Sequence, residues 1–427
     1  MQRYITLLIS LICLVSGLQA QEFQEITSGA GYARQSFVNL TSGTEKTIEN
    51  EAYDLAFTVY DGFNVGIFIN ESSGIDPVKN PSLNFYDVHQ TDFSAVPNKD
   101  SLNSWEIYND EQSWQSGALN LAADPKNPFD FGWGDYNPAN HQIIGKRIFA
   151  VKLRNGEYKK FKIESFINGA YTIRWANLDN SGDETLTFKT SDFAGNKFAY
   201  FNFATGKISS LEPDGSFDLW YTRYKTPLDA GGGQILIYNV LGLLSAPGVE
   251  VAQANEINPA TVALINYADS FSIQPDVIGH DWKYFTDNVY KILTNRAYFV
   301  KSISGTVYKI VFIDFEGATS GTSVFQKTDL GVISAVSKNN LISEFSVFPN
   351  PAQSEINLLF TPTENILQNS AIKVFDNGGK LILNQPLNIS QGLNAVTLNV
   401  SSLLPGVYTV VISSRNEMYS QQVIINK

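Results

Sequence analysis

The sequence predicts an all-β protein: two tandem antiparallel β-sheet domains related by duplication, followed by a small C-terminal β-sandwich. Three observations predict it. Phe and Tyr are abundant, 28 and 20 residues in a chain of 427, and aromatic side chains suit the pleated, half-buried surface of a strand. Two ribbons, KRIFAVKLRNGEYKKFKIESF at 146–166 and NRAYFVKSISGTVYKIVFIDF at 295–315, align without a gap. From about residue 343 the chain turns to short alternating runs separated by turn residues, the writing of a sandwich.

The N-terminal stretch MQRYITLLISLICLVSGLQAQ carries one early cation, Arg3, then an apolar run from Ile5 to Val15 and a small residue, Ala20, before Gln21. This pattern predicts a secretory leader over residues 1–20, with a run too short to span a membrane. Cys13 is the single cysteine and lies inside the leader. The exported chain is therefore expected to hold no thiol, which excludes disulfides, cysteine zinc centres and iron–sulfur clusters. Without Arg3 the chain balances 29 Lys+Arg against 42 Asp+Glu, a net charge of −13. Such a surface repels nucleic acid, which is excluded as a partner. No later apolar run approaches the ~20 residues of a transmembrane helix, so no transmembrane segment is expected.

The first ribbon is a hairpin by its own chemistry. Phe149, Val151 and Leu153 alternate with Ile148, Ala150 and Lys152, and Asn155-Gly156 supplies the positive φ angles of a tight turn. The second turns at Ser304-Gly305 and continues through Tyr308, Ile310 and Phe312. The two share Arg147/Arg296, Lys152/Lys301, Gly156/Gly305 and Phe166/Phe315. Upstream, SFVNLTSG (36–43) corresponds to AYFNFATG (199–206), and YDLAFTVY (53–60) to FDLWYTRY (217–224), sharing Asp54/Asp218.

The copies are offset by 163, 164 and 149 residues at these three places, so their order is kept and the middle of the first is longer. Two units of this length are not a solenoid or a propeller. The expected division is a first copy over 21–195, a second over 196–335, a linker over 336–342 and a tail over 343–427. The recurring Asp, Arg and Lys pairs read as scaffold anchors. Between the paired motifs lie variable segments, about 65–146 and 226–295, including FGWGDYNP (131–138) and AGGGQ (230–234). Loops on a fixed β scaffold are where function usually resides.

In the tail, Phe348-Pro349-Asn350-Pro351-Ala352 is followed by Val374-Phe375-Asp376, Gly379-Lys380-Leu381, Leu404-Pro405-Gly406-Val407-Tyr408 and a short strand closing on Lys427. This resembles the sorting domain of type IX secretion cargo in the Bacteroidetes. The resemblance implies an address read by the type IX secretion machinery, and a protein secreted or held on the outer-membrane surface.

The duplicated part resembles the HmuY family of haem-binding surface proteins. The carriers are Phe217-Asp218-Leu219 with Thr222, Arg223 and Tyr224, the Gly-rich stretch after it, Trp282-Lys283-Tyr284-Phe285, and Arg296 to Lys301 leading over Ser304-Gly305 to Phe312 and Phe315. Tyr53 and Phe217 stand where the family carries Trp, and Asp287 and Pro138 where a haem-ligating His is expected. The resemblance implies an exported binding protein with haem or a related tetrapyrrole as its ligand.

Three histidines exist, His89, His141 and His280, and each could serve as an axial ligand. All three lie in polar loops (DVHQT, ANHQI, IGHDW), where a histidine equally forms surface hydrogen bonds. His280 adjoins Asp281, and a neighbouring carboxylate raises imidazole basicity. Trp133 and Trp282 offer flat faces to a porphyrin or a sugar, or else fill the core.

Motifs of catalysis, G-x-S-x-G, H-E-x-x-H and a phosphate-binding glycine loop, are absent, so no enzymatic activity is expected. The run Asp179 to Glu184 reads as a polar hairpin turn and not as a calcium loop, and no metal site is expected. The function expected from these features is that of an exported, non-enzymatic ligand-binding protein. The alternative is a surface adhesion or structural module that presents its variable loops to glycans or partner proteins.

Overall fold

The computed structural model describes residues 21–60, 64–76, 78–332, 342–362, 370–376, 380–390, 392–414 and 417–426. The expected leader and the expected linker up to residue 341 lie outside the described residues. Strands hold 49% of the chain and helical turns 8%, and the protein is all-β with antiparallel sheets. Two compact units form, a large one ending near residue 333 and a small one made mainly by the tail.

Both ribbons of the repeat are hairpins. Phe149–Lys152 pairs with Tyr158–Ile167, Phe149 facing Phe161, and Ala297–Lys301 pairs with Thr306–Phe315, Val300 facing Tyr308. Gly156 and Gly305 each adopt a φ of 85° in the turns, a value that suits glycine. Around each hairpin a larger sheet forms. In the first half the path runs Glu184–Lys189, Ala170–Asn177, Tyr158–Ile167, Phe149–Lys152, Asn84–Asp87, Glu106–Ile107. The second half repeats its course as Gln21–Thr27, Thr322–Val332, Thr306–Phe315, Ala297–Lys301, Glu250–Ala254.

The opening strand of the chain thus completes a sheet built by residues some 300 positions later, Gln21 facing Thr328 and Thr27 facing Thr322. The smaller sheets are exchanged in the same way. Arg34–Val38, from the first half, lies against Leu219–Asp229 of the second, with Phe37 facing Trp220. Reciprocally, Phe198–Asn202 lies against Leu55–Thr58, with Tyr200 facing Ala56. The pairing therefore crosses the division expected at 195/196: residues 21–49 join the sheets of the second half, and 198–209 those of the first.

The recurring aspartates hold this exchange. Asp54 Oδ2 accepts the Phe203 backbone N–H at 2.7 Å, and Asp218 Oδ2 accepts that of Leu40 at 2.8 Å. Each carboxylate clips the hairpin supplied by the other half, a charge-assisted bond to a buried amide.

One apolar cluster joins the halves. It draws Phe37 and Ile26 from the opening strands, Tyr53 from the first half, and Tyr200, Trp220, Trp282 and Phe312 from the second. The outer faces of the larger sheets are covered by the variable segments: Phe93 and Leu102 pack over Tyr86 and Ile148, and Leu264, Tyr267 and Phe271 over Ala252 and Phe299.

The small unit packs two antiparallel sheets. Ile342–Phe348, Glu355–Pro362 and Asn394–Asn399 form one, and Leu381–Leu387, Ser370–Asp376, Gly406–Ser414 and Glu417–Ile425 the other. Ile356, Leu358 and Phe360 meet Ile372, Val374, Val410 and Val423 in its core, as alternation along each strand requires.

Candidate functional site

The two tryptophans singled out by the sequence are both interior. Trp133 is fully buried and its indole N–H donates to the Val65 carbonyl at 3.2 Å. Trp282 is also buried, stacked on Phe312 with centroids 3.9 Å apart and ring planes 11° apart. They lie 149 positions apart, the same offset as Arg147 and Arg296. That shared offset is the sequence signal that marks them as equivalent plugs of the two halves.

The three histidines sit on different segments. His89 is exposed beside Asp87, Nδ1 3.4 Å from Oδ1, with its ring edge towards Trp105. His141 is exposed and its Nδ1 lies 2.6 Å from the Tyr136 hydroxyl. His280 is half-buried, Nδ1 3.4 Å from the Tyr224 hydroxyl. Burial holds the His280 imidazole below its ordinary pKa, the Lys283 cation adds to this, and Asp281 opposes it. The ring is thereby held neutral near pH 7, the form that ligates a metal.

Around His280 two hairpins leave the second half. The long one joins Leu219–Asp229 to Ile235–Ser245 through Gly231, Gly232 and Gly233, all at positive φ. Its inner residues Leu219, Tyr221 and Leu243 are buried, whereas Ile235, Leu236, Ile237 and Tyr238 are exposed, Ile235 at 60%. The short one joins Lys283–Thr286 to Val289–Ile292 and exposes Tyr284, Phe285, Val289 and Tyr290, Phe285 at 61%. Asp287, at the position where the family resemblance expects histidine, occupies its turn with φ of 53° and pairs with Lys291 at 3.0 Å.

Lys283 ties the two hairpins at their bases. Its Nζ donates to the Leu241 carbonyl at 2.7 Å and to the His280 carbonyl at 3.3 Å, over the rings of Trp282 and Phe315 at 4.0 and 4.9 Å. Burial pulls its pKa down to about 7, against the pull of Asp281. The corresponding strands of the first half, Leu55–Thr58 and Ile67–Ile69, are only four and three residues long. The second half therefore carries the longer apolar ribbon. Exposed apolar surface of this extent, set on both faces of a ribbon, marks a contact site for a ligand or partner.

A recess lies where the halves meet, lined by Tyr53, Phe68, Glu71, Trp114, Trp220 and Tyr224 among others. Its volume of about 50 Å³ admits water and no cofactor. Glu71 is buried in its wall, accepting the backbone N–H of Asn109 at 2.8 Å and that of Lys225 at 2.9 Å. Burial nevertheless pushes its pKa up to about 7, and likewise raises Asp54 to about 6. Burial and then the Glu111 charge raise Asp276 to about 6. A larger open groove of about 720 Å³ is polar, lined by Glu49, Glu51, Asp54, Lys79, Arg154 and Asn202 among others. Sequence reasoning passed over Glu71 and Asp276, because nothing local distinguishes a buried carboxylate from the exposed majority.

These groups set a pH dependence. A carboxylate with a raised folded pKa keeps its proton longer in the folded state, so its contribution is full below the unfolded value near 4 and is lost as pH rises towards 7. Lys283 acts in the next window: its depressed folded pKa makes stability rise from about pH 7 towards the unfolded value. The melting temperature should therefore pass through a minimum near pH 7. Asp54 and Glu71 account for roughly 3 kcal/mol between pH 5 and 7, with the half-exposed Asp276 adding less. Thermal melts at pH 5, 7 and 9 check this; a flat or single-peaked profile contradicts it.

The small sandwich follows the large all-β unit in the chain as a separate module. Residues 346–426 match the family described as secretion system C-terminal sorting domain, and this tail is a type IX secretion sorting domain. This sorting domain implies recognition by the type IX machinery and export to the cell surface or secretion. No helix among the described residues is long and apolar enough to cross a membrane.

No curated protein matches the chain. Among solved structures it is similar to dimeric latent PorU from Porphyromonas gingivalis, at 8% identity and a TM-score of 0.19, over 94% of this chain and 34% of that one. It is also similar to a polysaccharide lyase, at 9% and 0.17 over 95% and 46%, and to Sidekick-1 immunoglobulin domains 1–5, at 8% and 0.14 over 88% and 77%. The chain spans about a third of the PorU chain.

Proposed function

We propose that the protein is an exported, non-enzymatic ligand-binding protein of the HmuY type, and that its second half holds an apolar ligand between the two hairpins. The observation that carries this reading is the exposure of apolar residues on both hairpins, Ile235 to Tyr238 on one and Tyr284, Phe285, Val289 and Tyr290 on the other, whose bases Lys283 ties together next to His280. Aliphatic and aromatic walls suit a flat, greasy molecule. Haem or a related tetrapyrrole is the ligand that the family resemblance suggests. Asp287 is not a usual haem ligand; of the residues that are, His280 lies at the hairpin bases and Tyr238, Tyr284 and Tyr290 along the hairpins, and His280 is the ligand proposed.

A haem titration of the full chain, followed at the Soret band, tests the proposal. A shift is expected in the wild type, lost in His280→Ala and kept in His89→Ala and His141→Ala. No shift, or a shift untouched by His280→Ala, defeats the histidine-ligated form.

The second reading is an adhesion module. It rests on the exposed rings of Tyr284, Phe285 and Tyr290, which could stack on sugar faces, and on the polar groove beside Arg154. Binding on a glycan array without a Soret response favours it.

A further inference from the structure

We propose that the outer edge of the long hairpin, Ile235 to Asn239, is a self-association surface on which two copies of this chain pair strand to strand about a two-fold axis. The proposal goes beyond the ligand reading and does not depend on it, because it uses the backbone edge of the ribbon and not its side-chain faces.

Ile235–Ser245 is the terminal strand of its sheet, paired on one side only with Leu219–Asp229. Along it, odd-numbered residues turn their backbone groups outward: Leu243 exchanges both with Gly279, and the Leu241 carbonyl takes Lys283 Nζ. Further out, the Asn239 carbonyl takes the Arg223 guanidinium. Beyond that point no described residue bonds the outward N–H and C=O of Ile235 and Ile237, or the N–H of Asn239.

Proteins normally guard such an edge with charge or proline. Several other terminal strands are guarded: Gln21–Thr27, Glu45–Glu49, Glu184–Lys189 and Lys207–Ser209 carry Glu or Lys, and the Ile67 and Ile69 N–H groups of the apolar edge Ile67–Ile69 are taken by Asn120 and Asn109 side chains. The far edge of this same ribbon is guarded too, since Pro227 has no N–H and the Lys225 N–H is held by Glu71 at 2.9 Å. The sequence ILIYN at 235–239 carries neither device.

A second copy is the occupant that fits. Antiparallel self-pairing centred on Ile237 sets Ile237 against its own image, Leu236 against Tyr238 and Ile235 against Asn239. The two Ile237 residues exchange hydrogen bonds, and each Asn239 N–H meets the Ile235 carbonyl of the other copy. No charged residue lies within this ladder, so nothing opposes it locally, although each chain is strongly acidic overall. The contact is short, so a weak, concentration-dependent association is expected.

Light scattering after gel filtration and sedimentation velocity on residues 21–427, from about 1 to 200 µM, test it. A monomer–dimer equilibrium is expected, and both Ile237→Pro and Ile237→Lys should be monomeric throughout, with unchanged circular dichroism and melting. The proline removes an N–H that the ribbon itself does not use; the lysine sets two like charges face to face. Should the proline variant misfold, the lysine variant decides alone. A wild type that stays monomeric, a dimer that survives both variants, open-ended polymers, or an edge that only a foreign strand peptide occupies would each overturn the proposal.

Discussion

Removal of residues 21–49 is expected to unfold the second half of the large unit, although these residues stand at the opposite end of its sequence. The opening strand forms a seven-pair ladder with Thr322 to Thr328, and Arg34–Val38 borders Leu219 to Tyr221. Truncation exposes what Ile26, Phe37, Val38 and Leu40, all fully buried, now cover and fill. At roughly 1.5–3 kcal/mol for each such side chain the loss is on the order of 6–12 kcal/mol, comparable with the whole stability of a domain. It also leaves the Asp218 carboxylate without the Leu40 amide. Residues 50–427 should therefore lose the main cooperative transition in thermal melts, keeping only that of the sorting unit. The fragment 196–335, the second copy as the sequence delimits it, should fail to fold for the same reason. A truncated chain melting within a few degrees of the intact one would refute this account.

Trp282→Ala is expected to cost about 3–5 kcal/mol, the loss of a large aromatic side chain from a filled core. The substitution removes the ring stacked on Phe312 and the floor beneath the Lys283 ammonium, so cavity and lost cation–π contact act together. Trp282→Phe should recover most of it, because the stacking partner stays in place. Trp133→Ala, its equivalent in the first half, belongs to the same range. Urea unfolding midpoints measure these differences, and a cost below about 1 kcal/mol for Trp282→Ala would show that the core closes around the gap.

What the sequence made legible was local. Strand character follows from alternation, and the turns at Asn155-Gly156 and Ser304-Gly305 follow from backbone chemistry, so both hairpins and the all-β class were readable. The tail was readable because its motifs recur in a fixed order. The exchange of hairpins was not, for a physical reason. Alternation fixes which face of a strand is buried but leaves its neighbour open. SFVNLTSG and AYFNFATG are near-equivalents, and either could complete either sheet; long-range closure decides, and no local pattern records it.

The candidate site was legible in its chemistry and not in its placement. His280 and the Trp282 segment were visible as residue types, yet only packing sends Trp282 inward and turns Tyr284 and Phe285 outward. The run Ile235 to Tyr238 falls within the variable segment 226–295 and carries no local sign that it forms an exposed strand. Its exposure arises because Leu219–Asp229 and Ile235–Ser245 outrun the sheet that covers their inner ends.

Gln21 faces Thr328, and the final strand of the large unit stops at Val332. The first described strand and the last strand of the large unit are therefore neighbours in one ladder, with the exit about four residues, roughly 13 Å, past the entry. A body whose two ends lie on adjacent strands can be spliced into a surface loop of another protein with only a short linker on one side.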